Sequence, residues 1–157
     1  MSLLPFFTWC DGTSLGVATR SVTWAFPAIE TTHILALAVL LGSILLIDLR
    51  ILGLAVPRIP APKLQRELNR NINWSLVIIL ASGVPLFLSE ALKAYDNDAF
   101  RPKIILLTLA IIFHYSVHNR TALNESPGGA HWGKALAIIS LVLWFGVGAA
   151  GRAIGFV

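Results

Sequence analysis

His114 and His118 stand one helical turn apart inside an otherwise apolar run, Ile104-Ile-Leu-Leu-Thr-Leu-Ala-Ile-Ile-Phe-His-Tyr-Ser-Val-His118. His33 lies in a second apolar run, three residues after Glu30. Imidazole ligates transition metals and haem iron as a neutral base, and it takes up a proton near neutral pH. Placing an ionisable group in hydrocarbon costs roughly 2.5–3.5 kcal/mol even on lenient insertion scales, so such groups face a bundle interior and mark ligand or ion sites. The candidate chemistry is therefore ligation of a haem or metal, or a proton path, within a membrane.

The elements that must position these residues are long apolar helices. The 157 residues are 56% hydrophobic and 13% charged, with a mean hydropathy of +0.76, which excludes an ordinary soluble domain. Charged residues cluster and leave four stretches suited to crossing a hydrocarbon layer of about 30 Å. The spans read as about 24–49, 74–92, 103–119 and 132–151, within one membrane domain covering 1–157. Pro27 suits the first turn of span one, and Gly53 with Pro57 suits its end. Gly83 and Pro85 should weaken or kink the later half of span two.

Basic residues orient the spans. Arg50, Arg58, Lys63, Arg66 and Arg70 face one acid, Glu67, between spans one and two, so this segment should be cytoplasmic and both termini outside. The high pI is explained by this topology rather than by nucleic-acid binding. Residues 1–21 should lie along the outer interface, anchored by Phe6, Phe7 and Trp9, and do not read as a cleaved signal peptide. The turn Asn124-Glu-Ser-Pro-Gly-Gly reads as polar and flexible. Cys10 stands alone, which leaves no intrachain disulfide and no thiolate metal site.

Counted from the outer ends of their spans, His33 and His114 both fall roughly 14–15 Å deep at 1.5 Å per residue. At matched depth they could bracket one haem iron or ligate one metal. Lys103, His114 and His118 share a helix face, which places Lys103 near the outer rim where it could meet haem propionates. Small residues in the outer halves, among them Ser82, Gly83, Gly146 and Gly148, could make room for a haem, or could serve close helix packing alone. His33 could instead simply hydrogen-bond Glu30 or a neighbouring helix, and His118 could be a wetted residue at the inner interface. His131 reads as interfacial, and Asp48 with Arg50 as an ordinary interfacial ion pair at the inner end of span one rather than part of a proton path. Glu30-x-x-His33 also has the spacing of a di-iron ligand pair, but a second such motif is missing.

Glu30-Thr-Thr-His33 followed by Gly42-Ser-Ile-Leu-Leu-Ile-Asp-Leu-Arg-Ile-Leu-Gly53, together with Ser89-Glu-Ala-Leu-Lys-Ala-Tyr-Asp-Asn-Asp-Ala-Phe-Arg-Pro-Lys103, resembles an uncharacterised family of short bacterial four-span membrane proteins, a domain of unknown function. The resemblance implies a bacterial inner-membrane location and no established activity. More loosely, the layout is similar to small four-helix b-type cytochromes and to membrane copper-handling proteins.

The expectation is an all-α, four-helix transmembrane bundle with an N-terminal interfacial segment. Its function is expected to be electron transfer through one haem b held between His33 and His114. His118 would be a substitute ligand or quinone-side group, with Lys103 and Glu30 nearby. Partners would be the lipid bilayer and a quinone or redox subunit, with an oligomer allowed. The alternatives are a copper, zinc or proton carrier using Glu30, His33, His114 and His118, and a structural subunit of a membrane complex. No nucleophile–base pair or phosphate loop argues for independent catalysis.

Overall fold

The computed structural model describes residues 3–98, 100–119 and 130–153. The expected turn Asn124–Gly129 lies outside the described residues. Helices α1 (Leu4–Asp11) and α2 (Ser14–Ser21) precede α3 (Ala25–Leu52) and α4 (Ala61–Ser89). A short α5 (Ala91–Asp96) leads into α6 (Phe100–Phe113), which continues as a π-helical turn, His114–His118, and the last helix is α7 (Ala130–Ala153). Strands are absent among the described residues. Among the described residues, four helices, with α6 counted through its π turn, are long and apolar enough to cross a membrane. The chain is a multi-pass membrane protein built as an all-α bundle.

Local sequence sets the helix ends. Gly53 closes α3 in the left-handed conformation, φ 81°, and the Gly53 and Leu54 N–H groups donate to Arg50 and Leu49 carbonyls. Only a residue without Cβ takes that conformation at no steric cost. Helix α4 begins at Ala61, thirteen residues before the apolar stretch that predicts span two. Its polar first half stays helical because Leu64, Leu68 and Ile72 continue the core-facing stripe, whereas hydropathy registers only where hydrocarbon begins. The helix also runs through Pro85 to Ser89, so the proline removes one N–H donor without ending the element.

Contacts fix the register. Lys103 of α6 lies within electrostatic range of His33 of α3, and His118 meets Asp48; the two contacts are fifteen residues apart along each helix, so α3 and α6 run parallel and in step. Ser82 of α4 meets His33. On α7, Gly151 lies beside Lys103 and Gly133 beside Ile51. Both α4 and α7 are therefore antiparallel to α3. Helix α3 packs against α4 and α7, and α7 packs against α6.

The core comprises Ala36, Leu40, Ile44 and Ile47 of α3, Ile72, Leu76 and Ile79 of α4, Ala110 of α6, and Trp144 and Val147 of α7. Ile34, Leu35, Val39, Val84, Ile105, Ile112, Val142 and Phe145 point outward, as lipid-facing side chains must. Lipid offers no hydrophobic gain for helix association, so close packing and buried polar contacts hold the bundle.

Helices α1 and α2 cover the end of the bundle where α4 finishes. Arg20 Nη1 donates to Asp11 Oδ1 at 2.6 Å and to the Ser89 carbonyl at 2.9 Å. Phe7 packs on Phe87 and Tyr95, while Phe6 and Trp9 remain exposed. The anchoring role expected of Phe6 and Trp9 is compatible with that exposure; Phe7 instead joins the bundle.

Candidate functional site

The residues expected to act together divide into two stations near opposite ends of the bundle. At the end covered by α1 and α2, His33 Nδ1 lies 2.9 Å from Ser82 Oγ. Ser82 also donates to the Ile78 carbonyl at 2.6 Å. A hydroxyl has one proton, so when that proton goes to Ile78 the serine can only accept, and His33 Nδ1–H donates to it. Gly83 packs beside the ring, and a Cβ there would meet His33 Cε1 at an ordinary 3.5 Å. Glu30 is exposed and is not the partner of His33. Lys103 is half-buried beside Gly151.

The second station lies where α3 approaches the basic segment. Asp48 and His118 have side chains 0% and 1% exposed, and Asp48 Oδ1 sits 2.5 Å from His118 Nε2. With the carboxylate ionised, His118 Nε2–H donates and Nδ1 is left as a bare acceptor. His114 stacks on His118 with ring centroids 5.3 Å apart and stands edge-on to Trp144 at 6.4 Å. Ser140 of α7 is fully buried and adjoins Asp48. Gln65 of α4 is also fully buried and donates to Asn119 Oδ1 at 2.9 Å, tying α4 to the end of the π turn.

Both histidines lie in the π turn, where the Asn119 N–H reaches the His114 carbonyl, five residues back. Four residues apart, they share a helix face, and their rings stack.

This station carries many unanswered polar atoms. His118 Nδ1, both His114 nitrogens and Trp144 Nε1 are buried without a hydrogen-bond partner, and the Ser140 hydroxyl faces Asp48. Buried polar groups in native structures are nearly always satisfied by protein or water, so a cluster like this marks a place that water, protons or a ligand occupies. Among the described residues, no group of three His, Cys, Asp or Glu side chains is arranged to hold a metal ion.

Several expectations are corrected by this geometry. His33 and His114 do not lie at one depth. Asp48 is fifteen residues, about 22 Å, along α3 from His33, and His114 lies about 5 Å back from His118, so the two histidines are roughly 17 Å apart in depth. Metal–imidazole bonds are about 2 Å long, so these two rings cannot ligate one iron in this arrangement. Lys103 shares a face with His114 but stands at the other end of α6. His118 is buried rather than wetted. Asp48 pairs with His118 and not with Arg50, whose Nε donates to the Ile59 carbonyl. His131 is exposed at the start of α7.

Sequence reasoning missed Asp48, Ser140 and Trp144 as site residues. Their signal was periodicity: Ala36, Leu40, Ile44 and Asp48 recur every four residues on α3, and Ala137, Ser140, Trp144 and Val147 share a face of α7.

The family model described as "Family of unknown function (DUF6644)" matches residues 6–157, and the chain belongs to that family. No curated protein and no solved structure matches it.

Proposed function

We propose that this DUF6644 member moves protons within the membrane, with Asp48, His118 and His114 as the relay. The observation that carries this reading is the fully buried Asp48–His118 contact at 2.5 Å, surrounded by acceptor and donor atoms that lack protein partners. Intramembrane carboxylate–histidine chains are the usual apparatus of proton transfer. A proton arriving at His118 Nδ1 makes an imidazolium, the Nε2 proton passes to Asp48 Oδ1, and neutral His118 is restored on the other tautomer. Rotation of the protonated Asp48 carboxyl then turns that proton away from His118 for release, and a flip of the imidazole ring restores the Nε2–H tautomer facing Asp48. The stacked rings of His114 and His118 do not aim nitrogens at each other, so a bridging water or a ring rotation completes the step between them. His33, Ser82 and Lys103 form the polar station at the opposite end.

In this reading the basic segment after α3 faces the cytoplasm of a bacterial inner membrane, with α1 and α2 outside. Proteoliposomes containing a pH-sensitive dye test it. Under an imposed potassium diffusion potential, the protein should raise proton flux over empty vesicles, and Asp48→Asn should reduce that flux at least tenfold. Flux equal to that of empty vesicles would overturn the relay.

A haem is the second reading, favoured by the two partnerless nitrogens of His114. Such a site would use His114 without His33, and electron transfer to a quinone or redox subunit would follow from it. A reduced-minus-oxidised visible spectrum decides: an alpha band that His114→Ala abolishes supports a haem, and colourless protein rejects it. Copper or zinc bound stoichiometrically by colourless protein would support a metal carrier instead.

A further inference from the structure

We infer that the first half of α4 carries a binding site for one anionic glycerophospholipid, separate from the buried relay. Arg66, Asn69, Arg70, Asn73, Trp74 and Val77 line an open groove of about 500 Å³. Their spacing of three and four residues makes a single stripe along α4. The stripe changes character with depth: two guanidiniums and two amides come first, then an indole, then an aliphatic side chain. That order matches a phosphate headgroup followed by acyl chain.

Among the described residues, no acid pairs with the two arginines of the groove. Glu67, the one acid on this stretch, pairs with Lys63 at 3.9 Å. Arg66 spends only its Nε, on the Pro62 carbonyl at 3.2 Å, which leaves both terminal nitrogens of its planar fork for a phosphate. Asn73 Oδ1 accepts from Tyr115 Oη at 2.6 Å, which leaves the amide NH2 of this groove residue as a donor. Trp74, 63% exposed, also borders a second, apolar groove of about 350 Å³ between α3 and α4, which Leu35, Val39 and Ile78 help to line. The two grooves flank one indole, as the two acyl chains of a single diacyl lipid would. Basic grooves at the ends of membrane helices recognise anionic headgroups by this combination of charge and depth.

Native mass spectrometry of the detergent-purified full chain tests the site with dioleoyl phosphatidylglycerol, dioleoyl phosphatidylcholine and inorganic phosphate as probes. Phosphatidylglycerol should be retained as a single adduct in preference to phosphatidylcholine. The double variant Arg66→Gln, Arg70→Gln should lower its retention about thirtyfold, while Lys63→Gln, on the same turn but outside the groove, should change it less than twofold. In a second readout, phosphatidylglycerol with brominated chains should quench wild-type fluorescence more than that of Trp74→Phe. Equal retention of the two lipids, or phosphatidylglycerol binding that the arginine variants leave intact, would overturn the inference. So would inorganic phosphate displacing the lipid at low millimolar concentration, since that identifies a free-anion site. Neither readout depends on proton flux, so the two proposals stand or fall separately.

Discussion

Asp48 and His118 are separated by seventy residues in sequence, yet Oδ1 and Nε2 lie 2.5 Å apart with neither side chain reaching solvent. The contact joins two helices that run parallel, α3 and the end of α6, at one level of the bundle. Polar groups at such a site are tolerated because each answers the other, and removing one leaves the second buried without a partner.

Asp48→Ala should therefore cost about 3–5 kcal/mol, whereas Asp48→Ala combined with His118→Leu should cost less than the sum of the two single changes. Thermal unfolding in detergent across the four proteins gives the coupling as a double-mutant cycle. Additive losses would mean that the pair contributes nothing as a pair.

The α2–α4 junction predicts a second, purely steric effect. A Cβ on Gly16 would fall 2.5 Å from the Leu88 carbonyl oxygen and 2.9 Å from its carbon, both backbone atoms with little room to yield. Gly16→Ala should lift α2 off the bundle and release the Arg20 bridge to Asp11 and Ser89, at a cost of about 1–3 kcal/mol. Faster amide exchange confined to residues 14–21 and 86–90 is the expected signature. Gly12→Ala is the control, since its Cβ would make only an ordinary 3.6 Å contact.

Hydropathy made the four spans and the closing role of Gly53 legible in the chain, because lipid imposes length and polarity on each helix separately. The pairings were not legible in the same way. Depth counted from the first apolar residue assumes that a helix begins there, and α6 begins at Phe100, earlier than Lys103. An error of three or four residues shifts an estimated depth by about 5 Å. The larger difference is that His33 and His114 are not equivalent positions. On parallel helices in step, Lys103 marks the level of His33, and the partner for His118 is fifteen residues further along α3. Asp48 was masked by its neighbour Arg50, since adjacent opposite charges at a span's end suggest an interfacial pair. Its place on the Ala36–Leu40–Ile44 stripe carried the better information. The π turn at His114–His118 leaves no trace in residue types.

The separation of the two histidine stations yields a last prediction, which bears on any single group proposed to join them. Sites more than about 7–10 Å apart that share no partner have additive effects on stability, within about 0.3–0.5 kcal/mol. His33 bonds to Ser82 and His118 to Asp48, and the core layer of Leu40, Ile44, Ile72 and Leu76 lies between the two levels. His33→Ala removes one half-buried hydrogen bond and should cost about 1 kcal/mol. His118→Ala strands a buried carboxylate and should cost several times more. The double variant should lose the sum of the two in detergent unfolding. A coupling above 1 kcal/mol would require one guest, or one chain of waters, to touch both ends; additivity leaves two independent sites and restricts any cofactor to the side of His114.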